Sequence, residues 1–141
     1  DTRILFEEFI DGYEVECAVL GNDEIETGVV GQILPANEFY DFDAKYTNAA
    51  SLLRIPAEVP EEKRDEVAKA AKHVFKALGG TGFSRVDFFV EKSTGRVLFN
   101  EINTIPGFTS ISMYPKMMEA AGVPYAELCD RLLQLAEEKW G

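Results

Sequence analysis

The stretch of sequence that decides the fold spans residues 99–110 and reads FNEINTIPGFTS. Its first half has the character of a strand, in which side chains alternate, so Glu101 and Asn103 face the same way. Both side chains offer the hard oxygen ligands that Mg²⁺ prefers. Pro106 and Gly107 then bend the backbone into a loop and leave the N–H of Gly107 uncrowded. We therefore predict a strand that carries polar ligands and ends at a functional loop.

A second strand pattern, FSRVDFFVE at residues 83–91, matches the first. Arg85 and Asp87 share one of its faces, and the apolar residues that alternate with them share the other. The short link KSTGR between the two patterns contains a glycine and is typical of a hairpin. Folding of that hairpin brings Asp87 opposite Glu101, within about one residue of register.

This hairpin would gather two carboxylates, an amide and an arginine on one face of two antiparallel strands. Such a cluster repels itself unless cations lie within it. The alternative is a solvated polar face, which any half-buried hairpin can have. The run NTIPG that follows favours a functional site, because a plain surface strand has no use for it.

The rest of the chain supplies further strands and helices. Residues 35–60 show little periodicity, and a connection of that length in a compact domain is usually functional or disordered. The alternating and amphipathic patterns predict an α+β fold, a mostly antiparallel sheet with packed helices. The predicted strands are 3–10, 13–20 and 25–34, and the predicted helices are 61–78, 113–121 and 125–139.

Composition limits the classes of partner. A chain of 141 residues with 46% hydrophobic residues is expected to form one compact domain. The net charge of −11 argues against a nucleic-acid partner. No apolar run approaches the roughly 18 residues of a membrane span, so no membrane partner is expected. Cys17 and Cys129 suggest neither a disulfide framework nor a zinc site, and buried free thiols point to the cytoplasm.

Three motifs together resemble a known family. They are R-x-D at residues 85–87, N-E-x-N-x-x-P-G-x-T-S at residues 100–110, and S-M-Y-P at residues 112–115. This combination resembles the C-terminal part of the D-alanine–D-alanine ligases, which belong to the ATP-grasp superfamily. The resemblance extends over nearly the whole chain. It implies that residues 1–141 form the ATP-grasp C-terminal subdomain, a fragment without the N-terminal substrate domain and the first ATP-grasp subdomain.

The resemblance implies that ATP is bound at the start of the chain. Backbone groups around Glu8 would read the adenine edge, Glu7 its exocyclic amine, and Glu14 the ribose hydroxyls. Many relatives carry lysine at the position of Glu8. The residues alone favour an acidic strand edge instead. The nucleotide-binding residues that the resemblance implies are Glu7, Glu8, Phe9, Ile10, Glu14, Lys45 and Asn100.

The resemblance also assigns the metal ligands and the residues of the long loop. Asp87, Glu101 and Asn103 would hold two Mg²⁺ ions, for which Mn²⁺ can substitute. Lys45 would reach the ATP phosphates and Tyr46 would help to latch the loop over the site. From spacing alone, these two loop residues could simply be exposed.

Acyl transfer and the second substrate complete the implied site. Arg85 and the N–H of Gly107 would hold the oxyanion of a tetrahedral intermediate, and Gly107 would also border the substrate. Ser112 would bind the carboxylate of the second D-amino acid, beside Met113, although a serine there is also a common helix N-cap. Met113 and the Lys45–Tyr46 pair favour D-alanine as that substrate.

The predicted activity is ATP-dependent ligation of two D-alanines through an acyl phosphate, for peptidoglycan synthesis. The full-length protein is expected to be a cytoplasmic homodimer, and the isolated chain to be inactive. Three alternatives stay open: a D-Ala–D-Ser ligase, a non-catalytic Mg-nucleotide-binding module, and a purely structural interaction domain.

Overall fold

A computed structural model describes residues 2–34 and 53–141 of the chain. Within these residues an antiparallel sheet with strand order β4-β3-β1-β5-β6 is packed between helices, and β2 pairs with β1. The predicted α+β class is therefore confirmed. The strands are β1 (Gly12–Gly21), β2 (Glu26–Thr27), β3 (Gly31–Ile33), β4 (Leu53–Arg54), β5 (Gly82–Glu91) and β6 (Val97–Asn103), and the helices are α1 (Glu61–Ala77), α2 (Met113–Ala120) and α3 (Tyr125–Trp140).

One face of the sheet packs against α1 and forms the first core. Strands β1 and β5 pair along their whole length, from Gly12 opposite Glu91 to Gly21 opposite Gly82. Every second side chain of these strands therefore points toward α1. The core that results is apolar and almost completely buried: Val15, Cys17, Val19, Val86, Phe88 and Val90 from the sheet, with Val67, Ala71 and Phe75 from α1.

The opposite face is covered at one end by α2 and α3. Leu20 of β1 packs there with Tyr114 and Met117 of α2. The Tyr114 hydroxyl donates a 3.0 Å hydrogen bond to the carbonyl of Val19, in the central strand. The backbone N–H of Val29 donates to the carbonyl of Met117 at 3.0 Å. These bonds fasten α2 to the sheet.

Three expectations about strands are wrong or incomplete. Residues 2–11 contain no regular structure, and all of their apolar side chains except Ile10 are exposed, with Phe6 at 88% and Phe9 at 89%. The predicted strand 25–34 is split into β2 and β3, because the chain closes onto α2 at Gly28, where a Cβ would lie 2.9 Å from the Met117 carbonyl oxygen. Strand β4 falls within the predicted loop of residues 35–60 and pairs with β3.

The helices and the hairpin agree with prediction. Each helix begins at the predicted residue and ends within one residue of the predicted end. None of them, in the part of the chain that is described, is long and apolar enough to cross a membrane. Of the two thiols, Cys17 is buried as expected, whereas Cys129 is partly exposed. The prediction of burial is therefore wrong for Cys129, which is only partly covered on α3.

Candidate functional site

The hairpin of β5 and β6 brings the predicted side chains together. Asp87 pairs directly with Glu101, and Arg85 pairs with Asn103. Directly opposed residues of antiparallel strands share a face, so these four side chains occupy one surface. The predicted register is confirmed. This surface is the end of the sheet face that α2 and α3 leave open, and we refer to these four residues as the polar face.

A β-bulge at Asn100 makes this arrangement possible. Phe88 pairs with Phe99 while the preceding Asp87 pairs with Glu101, so Asn100 is the extra residue on β6. Strict alternation would place Phe99 and Glu101 on the same side. The bulge instead lets the Phe99 ring contact Phe88, at 6.0 Å between centroids, while Glu101 turns toward Asp87. The sequence signal for this bulge was that the odd-numbered positions of β6 change from apolar, at Val97 and Phe99, to polar, at Glu101 and Asn103.

Arg85 and Asp87 form a bidentate ion pair on the polar face. The Nε–H of Arg85 donates to Oδ1 of Asp87 at 2.8 Å, and Nη2 donates to Oδ2 at 2.7 Å. The hydrogen bond to Asp87 raises the pKa of Arg85 above its ordinary value. Such a paired geometry fixes both the position and the plane of the guanidinium. Arg85 is therefore held rigidly as a cation in the middle of the carboxylates.

Glu16 is a member of the site that the sequence analysis did not single out. It lies on β1 directly opposite Asp87 and is only 3% exposed. Burial, and next the charge of Asp87, raise the pKa of Glu16 to about 7, while Arg85 acts in the opposite direction. The alternation of β1 was visible in the sequence, but only the register with Asp87 distinguishes Glu16 from other strand glutamates.

The donor set on the polar face fits a divalent cation that also binds phosphate. No three Asp, Glu, His or Cys side chains within residues 2–34 and 53–141 converge to form a metal site by themselves. Mg²⁺ rarely requires this, since it is usually bound through one or two carboxylates together with phosphate oxygens. Asp87 and Glu101 supply the carboxylates. The Oδ1 of Asn103 accepts a 3.2 Å hydrogen bond from the N–H of Ile105, which fixes that amide beside them.

The loop after β6 orients Ser112. The N–H of Thr109 donates to Oγ of Ser112 at 2.9 Å, and the two hydroxyl oxygens are 2.8 Å apart. Ser112 occupies the N-cap position of α2, but its side chain makes no capping hydrogen bond. A Cβ added to Gly107 would lie 2.9 Å from the same Oγ. Gly107 and Ser112 are therefore neighbours, as a shared substrate pocket requires, and the simple capping interpretation is not supported.

The other predicted site residues either lie away from the four residues of the polar face or have no described position. Glu7, Glu8 and Phe9 are exposed in the irregular segment 2–11, and Ile10 is partly buried there. Glu14 is exposed near the start of β1, on the same face of that strand as Glu16. Met113 is buried, with its Cε close to Gly31, so its contact with a substrate stays a prediction. Lys45 and Tyr46 lie outside the described residues.

The α+β fold, with paired carboxylates, an amide and an arginine on its polar face, is that of the C-terminal subdomain of the ATP-grasp class. Residues 1–134 match the family described as D-ala D-ala ligase C-terminus. The chain therefore belongs to that family.

Individual relatives agree with this assignment. The chain is 54% identical over 140 residues to a D-alanine--D-alanine ligase of Acetivibrio thermocellus, covering 99% of this chain and 37% of that protein. The chain spans 37% of the length of that relative and 40% of the length of the D-alanine--D-alanine ligase of Halothermothrix orenii, to which it is 52% identical. Among solved structures, it resembles the VanG D-Ala:D-Ser ligase of Enterococcus faecalis, with a TM-score of 0.75 and 45% identity over 91% of this chain and 37% of that one.

A further structural neighbour contains nucleotide. It is the D-alanine--D-alanine ligase of Bacillus anthracis complexed with ATP, with a TM-score of 0.71 and 27% identity over 94% of this chain and 39% of that one.

Proposed function

We propose that this chain is the phosphate- and metal-binding part of an ATP-dependent D-alanine–D-alanine ligase. The observation that carries the proposal is the register of the hairpin, which sets Asp87 against Glu101 and Arg85 against Asn103 on one open face. Family membership supports the same activity, and the ATP complex of the Bacillus anthracis relative supports the nucleotide. The chain spans less than half of its relatives, so the remaining polypeptide is expected to complete the active site.

Asp87, Glu101 and Asn103 are the proposed ligands of two Mg²⁺ ions, which Mn²⁺ can replace. When bound, these ions supply neutralisation of the phosphate charge as the γ-phosphoryl group moves. The chain's own contribution is a set of oxygen donors whose mutual repulsion a bound cation would relieve. Mn²⁺ titration of the full-length protein and its Asp87→Asn variant tests this assignment, and equal affinity would contradict it.

Arg85 and the N–H of Gly107 are proposed to stabilise the oxyanion of the tetrahedral intermediate. Two preorganised donors aimed at developing charge are the expected device for acyl transfer, each contributing about 3 kcal/mol. Ser112 is proposed to bind the carboxylate of the second D-alanine, with Met113 bordering its methyl group. The hydrogen bonds between Thr109 and Ser112 support this role, because they hold the hydroxyl beside Gly107.

The remaining assignments concern nucleotide and closure. Backbone groups of residues 8–10 are proposed to read adenine, with Glu7 on its amine and Glu14 on the ribose. Asn100 is proposed to join the nucleotide site from the β6 bulge. Lys45 is proposed to contact the phosphates and Tyr46 to latch the covering loop, which would exclude water from the acyl phosphate.

In the proposed reaction, the carboxylate of the first D-alanine attacks the γ-phosphorus of ATP and becomes an acyl phosphate, and ADP leaves. The amine of the second D-alanine attacks its carbonyl carbon, and phosphate leaves. The proposal needs no covalent enzyme nucleophile, so positioning and charge stabilisation would supply the catalysis. The full-length enzyme is proposed to be a cytoplasmic homodimer that supplies the dipeptide for peptidoglycan.

A second candidate is a D-Ala–D-Ser ligase. Identity of 45% to the VanG enzyme supports it, but less strongly than the 54% identity to the Acetivibrio thermocellus D-alanine--D-alanine ligase supports the first candidate. The two activities differ in the second substrate, so the residues near Ser112 would decide between them. Met113 is apolar and therefore favours D-alanine.

The test is phosphate release by the full-length protein with MgATP and either D-alanine alone or D-alanine with D-serine. We expect rapid release with D-alanine alone, dipeptide as the product, and little stimulation by D-serine. Preferential formation of D-Ala–D-Ser would support the second candidate. Nucleotide binding without any phosphate release would contradict both and leave a non-catalytic module.

A further inference from the structure

Arg85 faces two carboxylates with a single Nε hydrogen. That hydrogen goes to Oδ1 of Asp87 at 2.8 Å. Oε2 of Glu16 lies 3.2 Å from the same nitrogen. Because an arginine Nε carries only one hydrogen, Glu16 has the charge contact without the hydrogen bond. Within the described residues, Oε2 is a buried oxygen without a hydrogen-bond partner.

A buried carboxylate oxygen without a hydrogen bond is costly, and its presence calls for an explanation. Glu16 is 3% exposed and lies directly opposite Asp87 on the neighbouring strand. Its position is therefore fixed by the sheet. In this structure Asp87 accepts the hydrogen bond from the Nε–H of Arg85, and Glu16 is a second possible acceptor beside it.

A cation at the polar face would change which acceptor is available. Both oxygens of Asp87 are engaged by Arg85, at 2.8 and 2.7 Å. A divalent cation that binds Asp87 competes for these oxygens and repels the guanidinium charge. The Nε–H would then be left without a partner in a mostly buried site, unless another carboxylate accepted it.

We propose that Glu16 is a positioning residue that accepts the Nε–H of Arg85 when a divalent cation takes Asp87. Nη2 is then freed from Asp87 while the guanidinium stays in place. The inference rests on the proposed metal site and deepens it. It assigns to β1 a part in preparing Arg85 for its proposed task, and it explains why a buried acidic residue lies beside the hairpin on the neighbouring strand.

The test is Mn²⁺ binding to the full-length protein, followed by electron paramagnetic resonance, for wild type and two variants of Glu16. Glu16→Leu removes the acceptor and the charge, whereas Glu16→Gln removes the charge but keeps an acceptor oxygen. We expect Leu to weaken Mn²⁺ binding about tenfold, and Gln to recover a clear part of that loss. Equal weakening by both variants would show an effect of charge alone and overturn the proposal, as would unchanged binding in Glu16→Leu.

Ser84→Ala is the matched control. Ser84 is on β5 next to Arg85, fully buried, and its Oγ is the other buried oxygen without a hydrogen-bond partner in the described residues. It points to the α1 side of the sheet, so its removal should leave Mn²⁺ affinity within about twofold of wild type. A weakening equal to that of Glu16→Leu would overturn the proposal, because any buried polar change would then suffice.

A crystal structure of the wild-type full-length protein with MgADP tests the proposal even if Glu16→Leu does not fold. We expect Nε of Arg85 to bond to Glu16 and Nη2 to be released from Asp87. Asp87 still chelated by Arg85 beside a bound cation would overturn it, as would a wild type that binds no Mn²⁺. A protein in which the Nε–H of Arg85 moves from Asp87 to Glu16, but which forms no dipeptide, would contradict the proposed activity and leave this inference standing.

Discussion

The two faces of the sheet use the same strands in opposite ways. In β5, Val86 and Phe88 are buried beneath α1, whereas their neighbours Arg85 and Asp87 lie on the polar face. In β1, Cys17 and Glu16 divide in the same manner. The strand period of two thus separates packing from chemistry one residue at a time. Changes on the covered face should alter stability first, and changes on the polar face should alter activity first.

The largest effect is expected on the covered face. Phe75 of α1 is 1% exposed and packs into the first core. Phe75→Ala should lower the free energy of unfolding by about 3–5 kcal/mol, because it removes a large buried ring and leaves a cavity. Leu78→Ala, at an exposed position next to the end of the same helix, should change it by less than about 0.5 kcal/mol. Urea denaturation of the chain measures both, and equal losses would contradict the assignment of the core.

The polar face should behave in the reverse way. Glu101 is exposed opposite Asp87, and Glu101→Gln keeps its size while removing the charge. In the full-length protein we expect phosphate release to fall about a hundredfold to a thousandfold, since a proposed metal ligand is lost. The melting temperature should be unchanged. A variant that loses stability but keeps its turnover would refute the division between the faces.

An intermediate effect is expected at the loop that joins the polar face to α2. Gly107→Ala would place a methyl group 2.9 Å from Oγ of Ser112, so the hydroxyl must move. We predict an increase of about tenfold to a hundredfold in KM for the second D-alanine, because small displacements of a positioning group are costly. Steady-state kinetics with varied D-alanine measures this. An unchanged KM would remove Ser112 from the substrate site.

The smallest effect is expected at Cys17 and concerns the pH dependence of stability, which reports whether water reaches the first core. Burial raises the pKa of Cys17 to about 12 from its ordinary value of 9.0. The folded chain therefore keeps the thiol protonated while the unfolded chain loses its proton, and stability falls as the pH rises above 9.0. Relative to Cys17→Ala, we expect a loss of about 1.4 kcal/mol by pH 10 and none at pH 7. Denaturation curves at both pH values provide the measurement, and a flat difference would show that Cys17 is hydrated.

The sequence predicted the hairpin and the helices well because their signals are local. Alternation fixes the faces of β5, and the five-residue link sets the register that pairs Asp87 with Glu101. Amphipathic spacing predicted α1. For α2, the signals were Ser112 before the helix and Gly122 after it. In each case the information lay within a few residues of the element that it describes.

The failures concern information that lies elsewhere in the chain. Residues 3–10 have an apolar pattern but no described strand beside them, so the pattern alone does not form a strand. The strand expected over 25–34 is interrupted because Gly28 lies against Met117 of α2, which is distant in sequence. Glu16 was overlooked because its partners, Arg85 and Asp87, are supplied by another strand.

The bulge at Asn100 also constrains how the hairpin can diverge among lineages. Residues gained or lost at the tip, between β5 and β6, can be absorbed by the turn without changing which side chains meet farther along. Loss of Asn100 alone would remove the bulge and restore strict alternation, and it would still leave Glu101 opposite Asp87 and Asn103 opposite Arg85. A residue gained or lost between Glu101 and Asn103 would instead carry one of these two side chains to the side of α1. We therefore expect length variation in natural relatives to collect at the tip and at the bulge, and to be absent between Glu101 and Asn103.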